Sequence, residues 1–313
     1  MDKSQALLNL AQYLKAESYQ FVTTTPTSHE RVMLRSAANA ETTARDIFGW
    51  NKPFKATSID ALLLSYIHAA DICSADNGLI KSKIRFSSLD NQLFMHSAYP
   101  TSDSDAVFFG PDTYRFARLL KKTIAGFPTR QFSRIADIGT GSGVGGIVTA
   151  NCLQYRYQEL ILTDVNPKAL AYAKLNATLA ATDHVSFCLS DLYSEIKVPL
   201  DLIVANPPYL VDSEARAYRH GGGEFGSLLS TRTVLEGLPM LADGGVMILY
   251  TASPIVDGQD TFLASIRELL LGKNITYAYE EIDPDVFGEE LLKDAYKNVD
   301  RIAVVSLVLT KSN

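Results

Sequence analysis

The chain has 313 residues, of which 47% are hydrophobic and 20% charged, and its formal net charge at pH 7 is −6. No apolar run approaches the roughly 18 to 20 residues that a membrane-spanning helix needs, so the composition predicts a protein without a membrane span. The acidic balance argues against a protein that coats nucleic acid, because such proteins usually carry a basic domain or stripe.

The start of the chain, MDKSQALLNLAQYLKAES, has the apolar spacing of an amphipathic helix and carries charges throughout. It lacks the apolar core and the small-residue cleavage site of a secretory signal. The three cysteines, Cys73, Cys152 and Cys188, are far apart and odd in number, which fits neither a disulfide framework nor a zinc site. We therefore expect buried, reduced thiols, no metal and a cytoplasmic location.

Residues 1 to about 75 are predicted to be mostly helical, because apolar residues recur there at helical spacing. Residues 78–86 alternate apolar and polar side chains, which predicts a strand of a small hairpin. Helices followed by a hairpin that carries Lys81, Lys83 and Arg85 resemble a winged-helix arrangement. We assign residues 1–104 to a smaller, mainly helical N-terminal domain that recruits the substrate.

From about residue 133 short apolar runs alternate with helical segments. Strands are predicted at 134–138, 160–164, 185–188, 202–205, 246–250 and 301–309, with helices near 112, 147–150, 167–173 and 233–238. This alternation predicts an α/β domain over residues 105–313, with a Rossmann-like, doubly wound and mostly parallel sheet. The acidic residues 280–285 and 289–290 are expected to form a solvated face or loop.

A glycine-rich turn, Asp137-Ile138-Gly139-Thr140-Gly141-Ser142-Gly143, separates the first of these strands from its helix. Glycines there let the backbone approach a ligand closely, and the helix N-terminus offers free N–H groups. With Gly146 the turn also satisfies the G-x-G-x-x-G dinucleotide pattern, which is a weak signal alone. Asp164 ends the next strand, where a carboxylate can accept both hydroxyls of a ribose. The turn therefore predicts a ribose-bearing cofactor, and a dehydrogenase is one alternative.

The stretch Ala205-Asn206-Pro207-Pro208-Tyr209-Leu210 follows the fourth predicted strand. Two adjacent prolines cannot continue a parallel ladder, because neither supplies an N–H, and they hold the chain in stiff, extended dihedrals. We therefore expect a rigid corner that presents Asn206 and Tyr209 at the carboxyl end of a strand, where open α/β sheets bind their ligands.

The glycine turn, Asp164, Asp191 and the Asn-Pro-Pro-Tyr corner, in this order, resemble the motif series of class I S-adenosylmethionine-dependent methyltransferases over about residues 105 to 310. The resemblance implies a seven-stranded sheet with an antiparallel last strand and S-adenosylmethionine as the cofactor. The turn would contact the methionine part, Asp164 the ribose hydroxyls, and Asp191 the adenine amine, with Leu192 against the ring. The cofactor-binding residues so implied are Asp137, Gly139, Thr140, Gly141, Gly143, Asp164, Val165, Asp191, Leu192 and Asn206.

The corner also suggests a mechanism for methylating a planar –NH₂ group, whose delocalised lone pair makes it a poor nucleophile. The side-chain oxygen of Asn206 and the carbonyl of Pro207 can each accept one N–H, which fixes the nitrogen and stabilises the charge that develops on it. Tyr209 can stack on a planar acceptor. The predicted catalytic residues are therefore Asn206, Pro207 and Tyr209, with neither a general base nor a metal, and His220 is expected to be an exposed loop residue.

In families that share this corner, the acceptor is the side-chain amide of glutamine or the exocyclic amine of adenine or cytosine. Pro111-Asp112-Thr113 resembles part of a Pro-Arg-Pro-Glu/Asp-Thr-Glu segment of glutamine methyltransferases, although Phe109-Gly110 and Tyr114 depart from it. The glycine-rich residues 218–226 resemble a segment of the same enzymes, and their composition suggests a mobile lid. A bacterial group of class I methyltransferases shares Phe-Phe-Gly-Pro-Asp-Thr-Tyr and Tyr-Arg-His-Gly-Gly-Gly as well.

These features favour an N-methyltransferase that acts on a protein glutamine, for example in a translation factor. Methylation of adenine in ribosomal RNA or DNA is the main alternative, and the basic hairpin would suit it. A small-molecule acceptor, a cofactor-binding scaffold without catalysis and a dehydrogenase also stay open. The predicted partners are thus a protein substrate or RNA/DNA, with no membrane.

Overall fold

The computed structural model describes residues 1–35, 42–212, 214, 216 and 218–312. Its helices are α1 (Lys3–Ala16), α2 (Pro26–Leu34), α3 (Ala44–Phe48), α4 (Ala61–Ala70), α5 (Pro111–Ile124), α6 (Val144–Leu153), α7 (Pro167–Leu179), α8 (Leu228–Gly237) and α9 (Thr261–Leu270). Its strands are β1 (Cys73–Asp76), β2 (Leu79–Ser82), β3 (Ile84–Leu89), β4 (Gln92–Ser97), β5 (Phe132–Ile138), β6 (Tyr157–Asp164), β7 (Val185–Leu189), β8 (Leu200–Ala205), β9 (Leu241–Val256), β10 (Gln259–Asp260), β11 (Ile275–Asp283) and β12 (Arg301–Lys311). Short 3₁₀ helices cover Ala56–Ser58, Leu238–Met240, Gly288–Leu292 and Asp294–Tyr296. Within the described residues, no helix combines the length and the apolar character that a membrane crossing requires.

A central sheet organises the second part of the chain, with strand order β11-β12-β9-β8-β5-β6-β7 and β10 paired to the end of β9. Strands β5 to β9 pair in parallel, whereas β12 runs antiparallel to both β9 and β11. Ile135 of β5 packs in one apolar cluster with α5 and α6, and its neighbour Ala136 packs in a second with α8 and α9. Both faces of the sheet are therefore covered, and the predicted doubly wound sheet with its antiparallel last strand is confirmed.

Strand β11 is an edge strand that the sequence did not predict as a strand. Most of its side chains are exposed, including Glu280 and Glu281. Charged side chains on an edge strand discourage pairing with other chains. Residues 280–283 of the predicted solvated stretch 280–285 therefore lie on a strand and not in a loop. Glu290 was also expected to be solvated, and this was wrong: it is 1% exposed.

The N-terminal part has the predicted order of helices followed by hairpin structure, but it contains two hairpins, β1–β2 and β3–β4, instead of one. The single strand predicted over residues 78–86 is interrupted at Lys83, which separates β2 from β3. Leu10, Phe48 and Phe86 belong to the apolar core of this part. The three cysteines are unpaired, as expected, but each is only partly buried.

Asn176 of α7 joins this N-terminal part to the sheet domain. Its Nδ2 donates to the carbonyls of Met95 (3.0 Å) and Ser142 (2.8 Å), and its Oδ1 accepts from the Met95 N–H (2.8 Å). The side chain is completely buried. One amide thus links β4, α7 and the glycine turn that follows β5.

Asp137 at the end of β5 fixes that glycine turn from inside. Its Oδ2 accepts hydrogen bonds from Thr140 Oγ1 (2.5 Å) and from the Gly146 N–H (2.8 Å). A Cβ on Gly145 would lie 2.6 Å from Asp137 Oδ1, so the carboxyl group packs directly on the first turn of α6. Burial raises the pKa of Asp137 to about 6.

Replacing the buried amide, Asn176→Ala, is expected to lower the free energy of unfolding by about 2 to 4 kcal/mol, because three buried backbone groups lose their partner. Urea denaturation followed by circular dichroism measures this loss. The exposed Asn151 of α6 provides the control, and Asn151→Ala is expected to change stability by less than about 0.5 kcal/mol. Equal, small effects of both variants would contradict the linking role of Asn176.

Asp137 also predicts a pH dependence of stability. Because its pKa is raised to about 6 in the folded chain, and lies near 4 in an unfolded chain, the native state binds more protons between these values. Raising the pH through this window therefore lowers the wild-type free energy of unfolding, by up to about 3 kcal/mol, relative to Asp137→Asn. Denaturant titrations of both proteins at pH 4 and 7.5 measure the difference, and parallel pH profiles would contradict it.

Candidate active site at the carboxyl ends of the strands

The strand register brings the predicted site residues together. Ile138 of β5 is the register partner of both Thr163 of β6 and Ala205 of β8. The next residue of each strand or turn is Gly139, Asp164 and Asn206, so these three lie side by side at one edge of the sheet. The edge is the carboxyl end of the parallel strands, as predicted.

A cleft of about 210 Å³ opens at this edge, and we call it the first cleft. It is lined by nine of the ten predicted cofactor-binding residues, namely Asp137, Gly139, Thr140, Gly141, Asp164, Val165, Asp191, Leu192 and Asn206. Gly143 does not line it. A Cβ on Gly143 would lie 3.2 Å from Ala173, and its φ is +84°, so this glycine allows α6 to begin close to α7.

Asp164 is held in place by the backbone on both sides. Its Oδ2 accepts from the Gly141 N–H (2.9 Å) and its Oδ1 from the Asn166 N–H (2.9 Å). Burial raises the pKa of Asp164 above its usual range. A carboxylate has about four acceptor positions, so both oxygens can still accept from a ligand.

The glycine turn leaves open space next to that carboxylate. Gly139 and Gly141 have φ values of +68° and +54°, and a Cβ on either would meet no atom within 4 Å. The cleft therefore passes directly along the backbone of the turn, which fits a ligand that is bound through main-chain contacts.

The far end of the first cleft combines apolar walls with one carboxylate. Val165 is exposed, Leu192 is buried, and Leu229 of α8 completes the wall. The side chain of Asp191 is 58% exposed and lies 3.3 Å from Arg232 Nη2. Such a combination suits a flat heteroaromatic ring that carries an amino group. Leu229 was missed by the sequence analysis, because nothing near it in the sequence marks a site.

Asn206 lies between the first cleft and a second cavity, and lines both. The second cavity has a volume of about 380 Å³ and is also lined by Pro207 and Tyr209 of the corner. Asn206 Oδ1 is buried and has no hydrogen-bond partner within the part of the chain that the structure describes. A buried acceptor without a partner costs free energy, so such an atom calls for an explanation, and a ligand donor supplies one.

An aromatic pair stands at the same boundary. The rings of Phe108 and Tyr218 are stacked, with centroids 5.8 Å apart and an interplanar angle of 6°, and both residues line the first cleft and the second cavity. The Tyr218 hydroxyl donates to the carbonyl of Thr101 (2.7 Å). The sequence motifs contained both residues, but assigned neither to this boundary.

Tyr209 is more enclosed than a stacking platform requires, since only 9% of it is exposed. Its ring centroid lies 6.4 Å from that of Tyr250 and 6.0 Å from that of Phe287, and burial, together with the nearby Asp112 carboxylate, raises the pKa of its hydroxyl. Asp112 accepts from the Tyr250 hydroxyl (2.8 Å) and from Arg115 Nη1 (3.1 Å). The Pro111-Asp112-Thr113 motif thus places a buried carboxyl group near the ring of Tyr209. Stacking of Tyr209 on an acceptor stays a prediction.

The glycine-rich residues 218–226 pack against the corner. The Gly221 N–H donates to the Leu210 carbonyl (2.8 Å), and a Cβ on Gly221 would lie 2.6 Å from the carbonyl oxygen of Pro208. Gly226 has φ +87°, and a Cβ added to it would lie 2.6 Å from the carbonyl oxygen of Tyr209. The glycine-rich segment therefore supports the corner. These close backbone contacts do not favour the mobile lid that the composition of the segment suggested.

His220 was expected to be an exposed loop residue, and this was wrong. The residue is half-buried, and its Nδ1 accepts a hydrogen bond from the Asp212 N–H (3.2 Å). Arg219 beside it pairs with buried Glu290 (2.5 Å), which also binds Lys293 (2.7 Å). These contacts connect the glycine-rich segment to the C-terminal part of the chain.

The N-terminal part contributes the far wall of the second cavity. Arg85 was expected on an exposed basic hairpin with Lys81 and Lys83, but it is only 4% exposed and lines this cavity. Lys81 is half-buried and Lys83 exposed, so the three residues do not form a basic surface stripe. Other N-terminal residues of the wall, none of which the sequence analysis identified, are Thr23, Thr24, Thr25, Pro26, Thr27, His29, His96, Tyr99 and Thr101.

The chain is similar in sequence to known methyltransferases. Residues 116–220 match the family model described as Methyltransferase small domain. The release factor glutamine methyltransferase of Deinococcus radiodurans is 30% identical over 159 residues, which cover 48% of this chain and 55% of that protein. The enzyme of the same name from Chlamydia trachomatis serovar D is 31% identical over 175 residues, which cover 51% of this chain and 57% of that protein. The matched regions span just over half the length of these relatives.

Solved structures support the fold. The tRNA m1G37 methyltransferase of M. jannaschii superposes with a TM-score of 0.50 and 16% identity over 77% of this chain and 59% of that chain. Trm5b from Pyrococcus abyssi gives a TM-score of 0.51 and 18% identity over 77% of this chain and 62% of that chain. Likeness at these identities concerns the fold alone. The resemblance seen in the motifs is confirmed at the level of the fold: the chain has the fold of class I S-adenosylmethionine-dependent methyltransferases, and residues 116–220 match the methyltransferase small domain in sequence.

Proposed function

We propose that this protein is an S-adenosylmethionine-dependent N-methyltransferase that acts on a planar –NH₂ group, with a protein glutamine side chain as the favoured acceptor. The observation that carries the proposal is the buried Asn206 Oδ1, which has no hydrogen-bond partner among the described residues and belongs to a side chain that lines both the first cleft and the second cavity. An acceptor oxygen at this position suits a donor N–H that arrives from the second cavity.

The first cleft fits the cofactor. Asp164 would accept the ribose hydroxyls, Val165 and Leu192 would contact the adenine ring, and Asp191 would accept from its amine, while the open glycine turn would contact the methionine part. When bound, S-adenosylmethionine supplies an electrophilic methyl group on a leaving group that is already activated. The chain itself has then to align the acceptor nitrogen and to exclude water.

Asn206 and Pro207 would perform this alignment. Two carbonyl-type oxygens that each accept one N–H fix the nitrogen and stabilise the positive charge that develops on it, an interaction stronger in the transition state than before it. The backbone hydrogen bonds between Leu210 and the glycine-rich segment support the corner that carries both oxygens. Neither His220 nor a metal is part of this mechanism.

The choice of glutamine rests on the relatives and on charge. Two relatives that match about half of this chain are named release factor glutamine methyltransferases. Burial of Arg85 removes one of the three basic residues that favoured nucleic acid. A scaffold without catalysis would not need a free amide oxygen at the meeting point of two cavities. The unpaired cysteines agree with a cytoplasmic location, which we propose as well.

Asn206→Ala is expected to lower kcat by about 10² to 10³, since it removes one charge-stabilising acceptor, and to leave binding of S-adenosylhomocysteine unchanged within about twofold. The assay measures transfer of tritium from labelled cofactor to protein and to RNA in an extract of a deletion strain. Label is expected in protein, and Asn151→Ala serves as the exposed control. Wild-type turnover by Asn206→Ala would refute the amide mechanism, and label in RNA would refute the glutamine acceptor.

Asp164→Ala is expected to weaken binding of S-adenosylhomocysteine about 10- to 100-fold, because a hydrogen bond to a charged group is worth roughly 1.5 to 3 kcal/mol. Isothermal titration calorimetry measures the affinity. Asp183→Ala, which changes an exposed aspartate outside the first cleft, should bind like wild type. If Asp164→Ala also bound like wild type, the ribose would not lie against this carboxylate.

A further inference from the structure

The wall that the N-terminal part adds to the second cavity contains one buried cation. Arg85 of β3 is 4% exposed and lines the cavity. Its Nε donates to the Gly49 carbonyl (2.8 Å), and its guanidinium carbon lies 5.4 Å from the ring centroid of Phe21. Its buried Nη2 has no hydrogen-bond partner among the residues that the structure describes. One arm of the guanidinium is thus anchored, while another is without an acceptor.

No carboxylate neutralises this arginine within the described part of the chain, where none lies within 4.0 Å of it. The other two arginines of the cavity are compensated: Arg115 pairs with Asp112 and Asp283, and Arg219 pairs with Glu290. A buried guanidinium without a counter-charge is unfavourable, because desolvation is not repaid by an ion pair. The N-terminal wall of the cavity therefore offers one uncompensated positive charge, while Asp285 and Glu289 line the cavity from the C-terminal part of the chain.

The groups around Arg85 are polar but neutral. Thr23 Oγ1 and Ser87 Oγ are 2.5 Å apart, and Ser87 Oγ lies 2.8 Å from His96 Nε2. Burial lowers the pKa of His29 to about 4 and holds the pKa of His96 well below its usual value, so both rings are uncharged at neutral pH. His29 Nδ1 also lacks a partner. This wall can therefore bind an anion with one cation and several neutral polar groups.

We propose that the methyl acceptor carries an oxyanion, a carboxylate or a phosphate, that binds Arg85 while its planar –NH₂ group is held at Asn206. In a protein acceptor the carboxylate would be that of a C-terminal glutamine or of an acidic side chain. The inference rests on the proposed function, because both residues line the same cavity and the –NH₂ group is assigned to Asn206 there. A guanidinium matches carboxylate and phosphate geometry with parallel N–H donors, and such charge-assisted hydrogen bonds are the strong ones. The cavity volume of about 380 Å³ suits a small acceptor or one residue of a chain, and not a duplex.

The test compares two probes that differ only in charge. N-acetyl-L-glutamine has a primary amide and a carboxylate, and its methyl ester has the amide alone. Calorimetric titration of the full chain, saturated with S-adenosylhomocysteine, is expected to show that the acid binds about tenfold or more tightly than the ester. Inorganic phosphate, titrated separately, reports on the phosphate alternative.

Arg85→Met removes the charge and keeps the length of the stem, and it is expected to abolish the preference for the acid and any binding of phosphate. Arg118→Met, at an exposed arginine of α5, is the matched control and should behave like wild type. Arg85→Lys keeps the charge without the planar donors and should retain a weaker preference. If Arg85→Met does not fold, the acid–ester comparison in wild type still decides.

A preference for the acid that depends on Arg85 assigns the oxyanion to a carboxyl group, and phosphate binding that depends on Arg85 assigns it to a phosphate. Equal binding of acid and ester, together with no phosphate binding, would overturn the inference. So would a preference that Arg85→Met retains. The same titrations begin with S-adenosylhomocysteine, and failure of that step would contradict the proposed function instead.

Discussion

Parallel pairing of β5 with β6 on one side and β8 on the other is the constraint on which the site depends. Ile138 is the register partner of both Thr163 and Ala205, so the residues that follow these three lie together at the same edge of the sheet. The glycine turn, Asp164 and Asn206 are far apart in the chain, and backbone hydrogen bonds alone bring them into one cleft. Asp137 and Asn176 then fix the turn from behind, so that its backbone can face a ligand.

The second constraint is that the buried polar groups around the corner need hydrogen-bond partners. Asp112 accepts from the Tyr250 hydroxyl, and the glycine-rich segment pairs with the backbone N–H and carbonyl of Leu210. Among the described residues that line the second cavity, Asn206 Oδ1 and Arg85 Nη2 are buried without a hydrogen-bond partner, as are His29 Nδ1 and Arg219 Nε. Buried groups of this kind are tolerated where a ligand supplies the missing hydrogen-bond partner.

Much of the sheet domain could be predicted from sequence, because buried parallel strands are short apolar runs and the motifs follow them at fixed positions. Strand β11 could not be predicted, since its exposed side chains show no apolar pattern. The wall of the second cavity could not be predicted either. Arg85 has the local pattern of a surface hairpin, and only the packing of β3 and β4 against the rest of the chain buries it. Tyr114 stands where the segment of glutamine methyltransferases has its second acidic residue. Its hydroxyl accepts a hydrogen bond from the Thr23 N–H (3.1 Å) and so helps to form that wall.

A crystal structure of the chain with sinefungin, an unreactive analogue of the methyl donor, and a glutamine-containing acceptor tests the central claim most directly. We expect the donor analogue to lie along the glycine turn, with its ribose hydroxyls hydrogen-bonded to Asp164. We expect the acceptor nitrogen to lie about 2.7 to 3.2 Å from Asn206 Oδ1. An acceptor nitrogen bound elsewhere, or an Asn206 oxygen that turns to a protein donor when both ligands are present, would contradict it.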